Sequence, residues 1–144
     1  MNVDAQLIEH MMEPKNYGSM AESHSEGIGK NPQNGEKVVV YIKVKDDTIY
    51  DIRFQAIGCS TTVVAGSMLT EEAKGLSFDE ISTLIDNTMK ILEGVPPEDA
   101  VCTEMVVLAI QASVDTYKKR RDDNDYPAIT YQVENSCIPQ EERV

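Results

Sequence analysis

The chain has no tryptophan, two phenylalanines, two histidines and three cysteines in 144 residues. With so few rings, the core must be filled by aliphatic side chains and by the flexible thioethers of seven methionines. Positive charge is also scarce: 13 Lys and Arg face 25 Asp and Glu, for a net charge of −12. That balance argues against nucleic acid and against anionic membranes, because phosphate surfaces are bound by clustered cations. It favours solubility and basic partners. No run of 18 apolar residues occurs, so no transmembrane helix is expected. The opening residues Met1–Gln6 lack a basic stretch followed by an apolar one, so no secretory signal is expected. An odd number of cysteines without such a signal argues for reduced thiols and a cytoplasmic setting. The motifs of serine hydrolases, zinc peptidases and phosphate-binding loops are absent, and Gly27-Ile28-Gly29 alone is a weak signal.

What is present reads as one domain, long enough for a core. Leu7, Ile8, Met11 and Met12 recur at helical spacing over Val3–Met12, and Pro14 stops that helix. Residues Asn16–Gly35, rich in glycine and polar side chains, read as a long loop. Good alternation over Lys37–Lys45 and looser alternation over Thr48–Ile57 predict two strands. Asp46-Asp47 between them predicts an antiparallel hairpin. Helices follow over Thr61–Lys74, from Ser77-Phe78-Asp79-Glu80 as a capping box, over Asp86–Leu92, and over Ala100–Arg121. The basic run Lys118–Arg121 suits a solvated helix end. Ala128–Val133 is β-prone and reads as an added edge strand, with a loose tail after it. Strands early and helices late give an α+β class: a small antiparallel β-sheet with helices packed on one face. The domain spans residues 1–126, with 127–144 as a C-terminal extension.

Two thiols stand out. Cys59 lies between a strand pattern and a helix pattern, and Cys102 falls where the longest helical pattern opens. A thiol at a helix N-terminus faces backbone N–H groups and the positive end of the dipole, which favours the thiolate. Thiolates are soft ligands for iron and zinc and good sulfur nucleophiles. A cysteine in such a chain is otherwise most simply a small buried hydrophobe. Cys137, in the tail, reads as incidental, as do His10 on the first helix and His24 in an acidic loop.

Several ordered segments together resemble the IscU/NifU N-terminal family of iron–sulfur cluster assembly scaffolds, from about Leu7 to Arg121. Glu13-Pro14-Lys15-Asn16-Tyr17-Gly18 is similar to the segment after the family's opening helix. Gly29-Lys30-Asn31-Pro32-Gln33-Asn34-Gly35-Glu36 resembles its ligand loop, and Phe54-Gln55-Ala56-Ile57-Gly58-Cys59 its second cysteine segment. Cys102 falls at the third. The resemblance implies a scaffold or carrier rather than an enzyme, with Cys59 and Cys102 as ligands and Glu36, in place of the family's aspartate, as an oxygen ligand. It implies a [2Fe–2S] cluster or zinc as the bound group. It also implies a cysteine desulfurase as sulfur donor and apo iron–sulfur proteins as clients.

The same comparison exposes departures. Asn34 occupies the family's first cysteine position, and Val101 stands where a histidine often precedes the third. Val95-Pro96-Pro97-Glu98-Asp99 resembles a chaperone-read segment but lacks its lysine and carries two acids. A two-iron cluster or a tetrahedral zinc needs four good ligands. Three resolutions are open: a homodimer shares a cluster through two thiols from each chain, Cys137 reaches the site, or the protein is an adaptor that holds no cluster. A zinc-bound sulfur acceptor meets the same shortage.

Overall fold

A computed structural model describes residues 12–58 and 60–133. Within them, strands β1 (Ser25–Lys30), β2 (Lys37–Lys45), β3 (Thr48–Ile57) and β4 (Ile129–Gln132) form one sheet in the order β3-β2-β1-β4. Helices α1 (Ser60–Ala73), α2 (Phe78–Leu92) and α3 (Pro97–Arg120) complete the α+β domain. The first three strands pair antiparallel. The fourth runs parallel to β1, so the sheet is mixed where an all-antiparallel one was expected. The helix expected over Val3–Met12 and the tail beyond Val133 lie outside the described residues, except for Met12.

Alternation sets the β2–β3 hairpin. Val38, Val40, Ile42 and Val44 point to the core face, and so do Ile52 and Phe54 across from them. The turn takes Asp46 and Asp47 both to positive φ, as a two-residue hairpin turn matched to strand twist requires. Residues Asn16–Gly18 cover the far edge of β3, where Phe54 exchanges backbone hydrogen bonds with Asn16 and Gly18.

The expected long loop Asn16–Gly35 contains a strand. The inward positions of β1 are Ser25, Gly27 and Gly29, so no apolar side chain marks its buried face. Their smallness lets α3 lie directly on the strand backbone. A Cβ on Gly27 would fall 2.1 Å from the Ser113 nitrogen, and one on Gly29 would fall 2.0 Å from the Met105 carbonyl oxygen. Helix α3 is consequently buried nearly all round, with Met105, Val106, Ala109, Ile110 and Ala112 in the core. Leu108 and Tyr117 are partly buried and pack against that core.

Helix α1 is seated on β3 by Gly66, where a Cβ would meet the Phe54 ring at 2.4 Å. Helix α2 is one continuous helix where two pieces were expected. The capping box at its start forms: the Ser77 hydroxyl accepts from the Glu80 N–H, and the Glu80 carboxylate accepts from the Ser77 N–H. At the end of α3, Lys118 and Lys119 are exposed, whereas Arg120 grips Glu26 through both terminal nitrogens and donates to the Tyr126 carbonyl. Arg121 pairs with Asp47 and stacks on Tyr117. This basic run staples the C-terminal end of α3 to the hairpin and the following loop, rather than being only a solvated end. No helix among the described residues is long and apolar enough to cross a membrane.

Candidate functional site

The order of contacts along α3 shows that it runs antiparallel to β1. Gly27 faces Ala109–Ser113, and Gly29 faces Met105–Ala109. Two strand residues advance about 6.6 Å and four helical residues about 6 Å, so the two elements stay in step. The N-terminal part of α3 therefore lies at the end of the sheet where β1 turns into β2. Strand β3 finishes, and α1 begins, at that same end, since Lys37 pairs with Ile57.

The turn between β1 and β2 is closed by Asn31, which is fully buried. Its N–H donates to the Glu36 carbonyl at 2.8 Å, and its own carbonyl accepts from the Gly35 N–H at 2.9 Å. Its side-chain oxygen accepts from the Gln33 N–H at 3.1 Å. Gly35 sits at φ +80°, a conformation other residues rarely adopt. Asn34, exposed at the tip, accepts the Glu36 N–H through its side-chain oxygen at 3.0 Å. Asn34, which the resemblance sets at the family's first thiol position, is thus a turn-forming amide. Asn31 was not singled out from the sequence, although Asn-Pro is a turn-initiating pair.

The Glu36 carboxylate lies against Gly58. A Cβ on Gly58 would sit 3.0 Å from Glu36 Cδ and 3.2 Å from its Oε2. The carboxylate of the expected oxygen ligand thus occupies the space beside the residue that precedes Cys59. Cys59 itself lies outside the described residues, and its neighbour Ser60 is the first residue of α1.

Cys102 is a reduced thiol in the core cluster, 7% exposed, and shares that cluster with Val101, Met105 and Val133. The structure corrects its expected place at the opening of a helix. Helix α3 starts at Pro97, so Cys102 is its sixth residue and sits in the second turn. Proline is favoured at the first helical position, where the missing N–H costs no bond. The dipole acts mainly within the first turn, so it is not what favours a thiolate at Cys102. Val101, buried beside it at 6% exposure, packs in the core where the family often carries histidine.

Among the described residues, no three His, Cys, Asp or Glu side chains gather closely enough to hold a metal ion. His24 lies far from this end, at the C-terminal end of α3, where its Nδ1 accepts the Val44 N–H at 2.9 Å. It lines a cleft of about 270 Å³ with Tyr117, Arg120 and Arg121. Both arginines there are already paired with carboxylates.

A mixed four-stranded sheet with helices packed on it, and Cys102 buried at the end where the Asn31–Glu36 turn leads into β2, define an α+β domain. The comparisons make that particular. The family profile described as NifU-like N terminal domain matches residues 3–124. An iron–sulfur cluster assembly scaffold protein IscU 1 from Archaeoglobus fulgidus is 34% identical over 115 residues, covering 78% of this chain and 75% of that one. The scaffold protein IscU of Escherichia coli K12 is 30% identical over 127 residues, covering 85% and 98%. The crystal structure of a NifU-like N-terminal protein from Brucella abortus superposes with a TM-score of 0.70 at 16% identity, over 80% of this chain and 93% of that one. The chain belongs to the NifU-like N-terminal domain family.

Proposed function

We propose that this protein is an iron–sulfur cluster assembly scaffold. The observation that carries the reading is similarity to proteins of that name along nearly the whole domain, at 30–34% identity. In this reading the cluster is cargo: it is built on the protein and passed on. Cys59 and Cys102 bind iron as thiolates, each releasing its proton on binding. Glu36 supplies a hard oxygen donor. Its carboxylate lies beside Gly58, the residue before Cys59. The cargo is a [2Fe–2S] unit, a cysteine desulfurase supplies its sulfur, and apo iron–sulfur proteins receive it.

A scaffold must hold its cargo strongly enough to assemble it and weakly enough to release it. Mixed sulfur and oxygen ligation suits that need, since iron prefers thiolate to carboxylate in such clusters. The burial of Cys102 keeps one sulfur shielded from solvent.

Anaerobic reconstitution with iron and sulfide tests the reading. It is expected to give visible sulfur-to-iron absorption that Cys59→Ser and Cys102→Ser each remove. A colourless wild-type product would overturn it.

A further inference from the structure

We infer that Asn34 is a positioning residue that aims the Glu36 carboxylate, rather than an empty ligand place; this rests on the scaffold reading above. The tip that carries Asn34 is exposed, and its softest point is Gly35. That residue sits at φ +80°, with nothing within 4 Å of its Cβ position, so no packing stiffens the turn there. The Asn34 side chain supplies the stiffness. Its Oδ1 reaches over Gly35 and accepts the Glu36 N–H at 3.0 Å. On the other side, the N–H of buried Asn31 donates to the Glu36 carbonyl at 2.8 Å. Both backbone polar groups of Glu36 are thus held, one by each asparagine. Two fixed peptide planes fix the direction of the Cα–Cβ bond between them. The carboxylate carried by that bond lies beside Gly58, where a Cβ would stand 3.2 Å from Oε2.

The residue type fits this task. An asparagine carbonyl oxygen bonds the backbone two residues on and builds a turn of its own. A cysteine has no comparable acceptor, since its sulfur accepts hydrogen bonds only weakly. A neutral amide oxygen is in turn a poor partner for iron that takes thiolates. Where the family's cysteine offers a thiolate, Asn34 therefore offers a hold on the carboxylate two residues away. Removing its oxygen leaves the peptide between Gly35 and Glu36 free to turn, and the carboxylate swings with it. Affinity for the metal then falls by the fraction of molecules whose carboxylate points away.

The test uses Co(II) alone on the full reduced chain, with affinity and sulfur-to-cobalt charge-transfer absorption read together, and amide hydrogen exchange read without metal. Asn34→Ala is expected to weaken Co(II) binding by about tenfold, the lower end of the cost of losing a partner that orients a ligand. It should also speed exchange of the Glu36 amide by roughly 2–10-fold, as loss of one hydrogen bond implies. Asn34→Ser, whose hydroxyl accepts the same N–H, should keep most of the affinity. In a Glu36→Ala background, Asn34→Ala should cost nothing further, because a residue that acts through Glu36 has nothing left to aim. The thiolate absorption per bound Co(II) should stay the same throughout. Equal losses in Asn34→Ser and Asn34→Ala would overturn the assignment, and so would a loss in Asn34→Ala that persists without the Glu36 carboxylate. Unchanged affinity or unchanged Glu36 exchange in Asn34→Ala would overturn it and leave the scaffold reading standing. Wild-type protein that binds Co(II) without thiolate absorption, or not at all, would overturn both.

Discussion

The Met105 carbonyl oxygen lies 2.0 Å from the point a Cβ on Gly29 would occupy. Backbone meets backbone there, so no side-chain rotation can relieve a substitution. Gly29→Ala must push α3 off β1, and with it the turn that carries Cys102. We expect a loss of at least about 3 kcal/mol, the upper end of overpacking costs. Gly35 offers the contrast: nothing lies within 4 Å of its Cβ position, but its φ is +80°. Gly35→Ala should cost only about 1–2 kcal/mol of backbone strain. Urea unfolding of the two variants separates the mechanisms, and equal losses would contradict this account of α3 packing.

Strand β4 is tied to α3 by side-chain hydrogen bonds: the Ile129 N–H donates to Thr116 Oγ1 at 3.0 Å, and Tyr131 reaches Asp115. The Tyr131 hydroxyl donates to Asp115 Oδ2 at 2.5 Å, and Gln111 Nε2 donates to Asp115 Oδ1 at 2.9 Å. The bond to the carboxylate, with smaller contributions from burial and from the Asp115 charge, pushes the Tyr131 pKa up to about 12 from 10.0. The folded state therefore prefers the protonated phenol. Its stabilisation is complete below pH 10 and is lost as pH rises through about 12. Tyr131→Phe should cost about 1–2 kcal/mol at neutral pH. It should also flatten the fall of stability in that alkaline window, as chemical denaturation at stepped pH would record. An unchanged alkaline slope in Tyr131→Phe would remove Tyr131 as its source.

The start of α2 rests on reciprocal hydrogen bonds between Ser77 and Glu80. Ser77→Ala leaves an N–H near the helix end without its side-chain acceptor, so a loss of about 1 kcal/mol is expected. Ser77→Asp should keep most of that stability, because aspartate also caps and suits the helix dipole. Thermal melts of the pair check this, and an equal loss in both would show that the cap is not the cause.

The elements legible in the sequence are those whose side chains carry a period. Strands β2 and β3 alternate, the Ser77 cap is spelled out, and the long apolar pattern of α3 is plain. Strand β1 was hidden because close helix approach is achieved by leaving side chains out, and Ser25, Gly27 and Gly29 look like loop residues until α3 is laid upon them. The apolar pattern places the start of α3 at Ala100, whereas Pro97 begins it, and that difference shifts Cys102 from the first turn to the second. The parallel sense of β4 is a property of chain path, which local composition does not encode. At the site, the resemblance pointed to Glu36, but the buried Asn31 that closes its turn carried only the weak signal of an Asn-Pro pair.

Glu36 gives the sharpest separation of function from stability. Its two backbone groups are engaged by Asn34 and Asn31, while its carboxylate rests on Gly58. Glu36→Ala keeps both backbone bonds and removes only the carboxylate. Stability should stay within about 0.5 kcal/mol of the parent, as for substitutions away from buried features. Co(II) affinity should fall by about tenfold or more if the oxygen is a ligand, and by less in Glu36→Asp, which keeps the charge on a shorter arm. Paired calorimetric melts and Co(II) titrations measure both quantities on the same samples. A variant that melts early as its affinity falls would mark Glu36 as a support of the turn. Unchanged affinity with unchanged melting would leave the carboxylate no part in binding the metal.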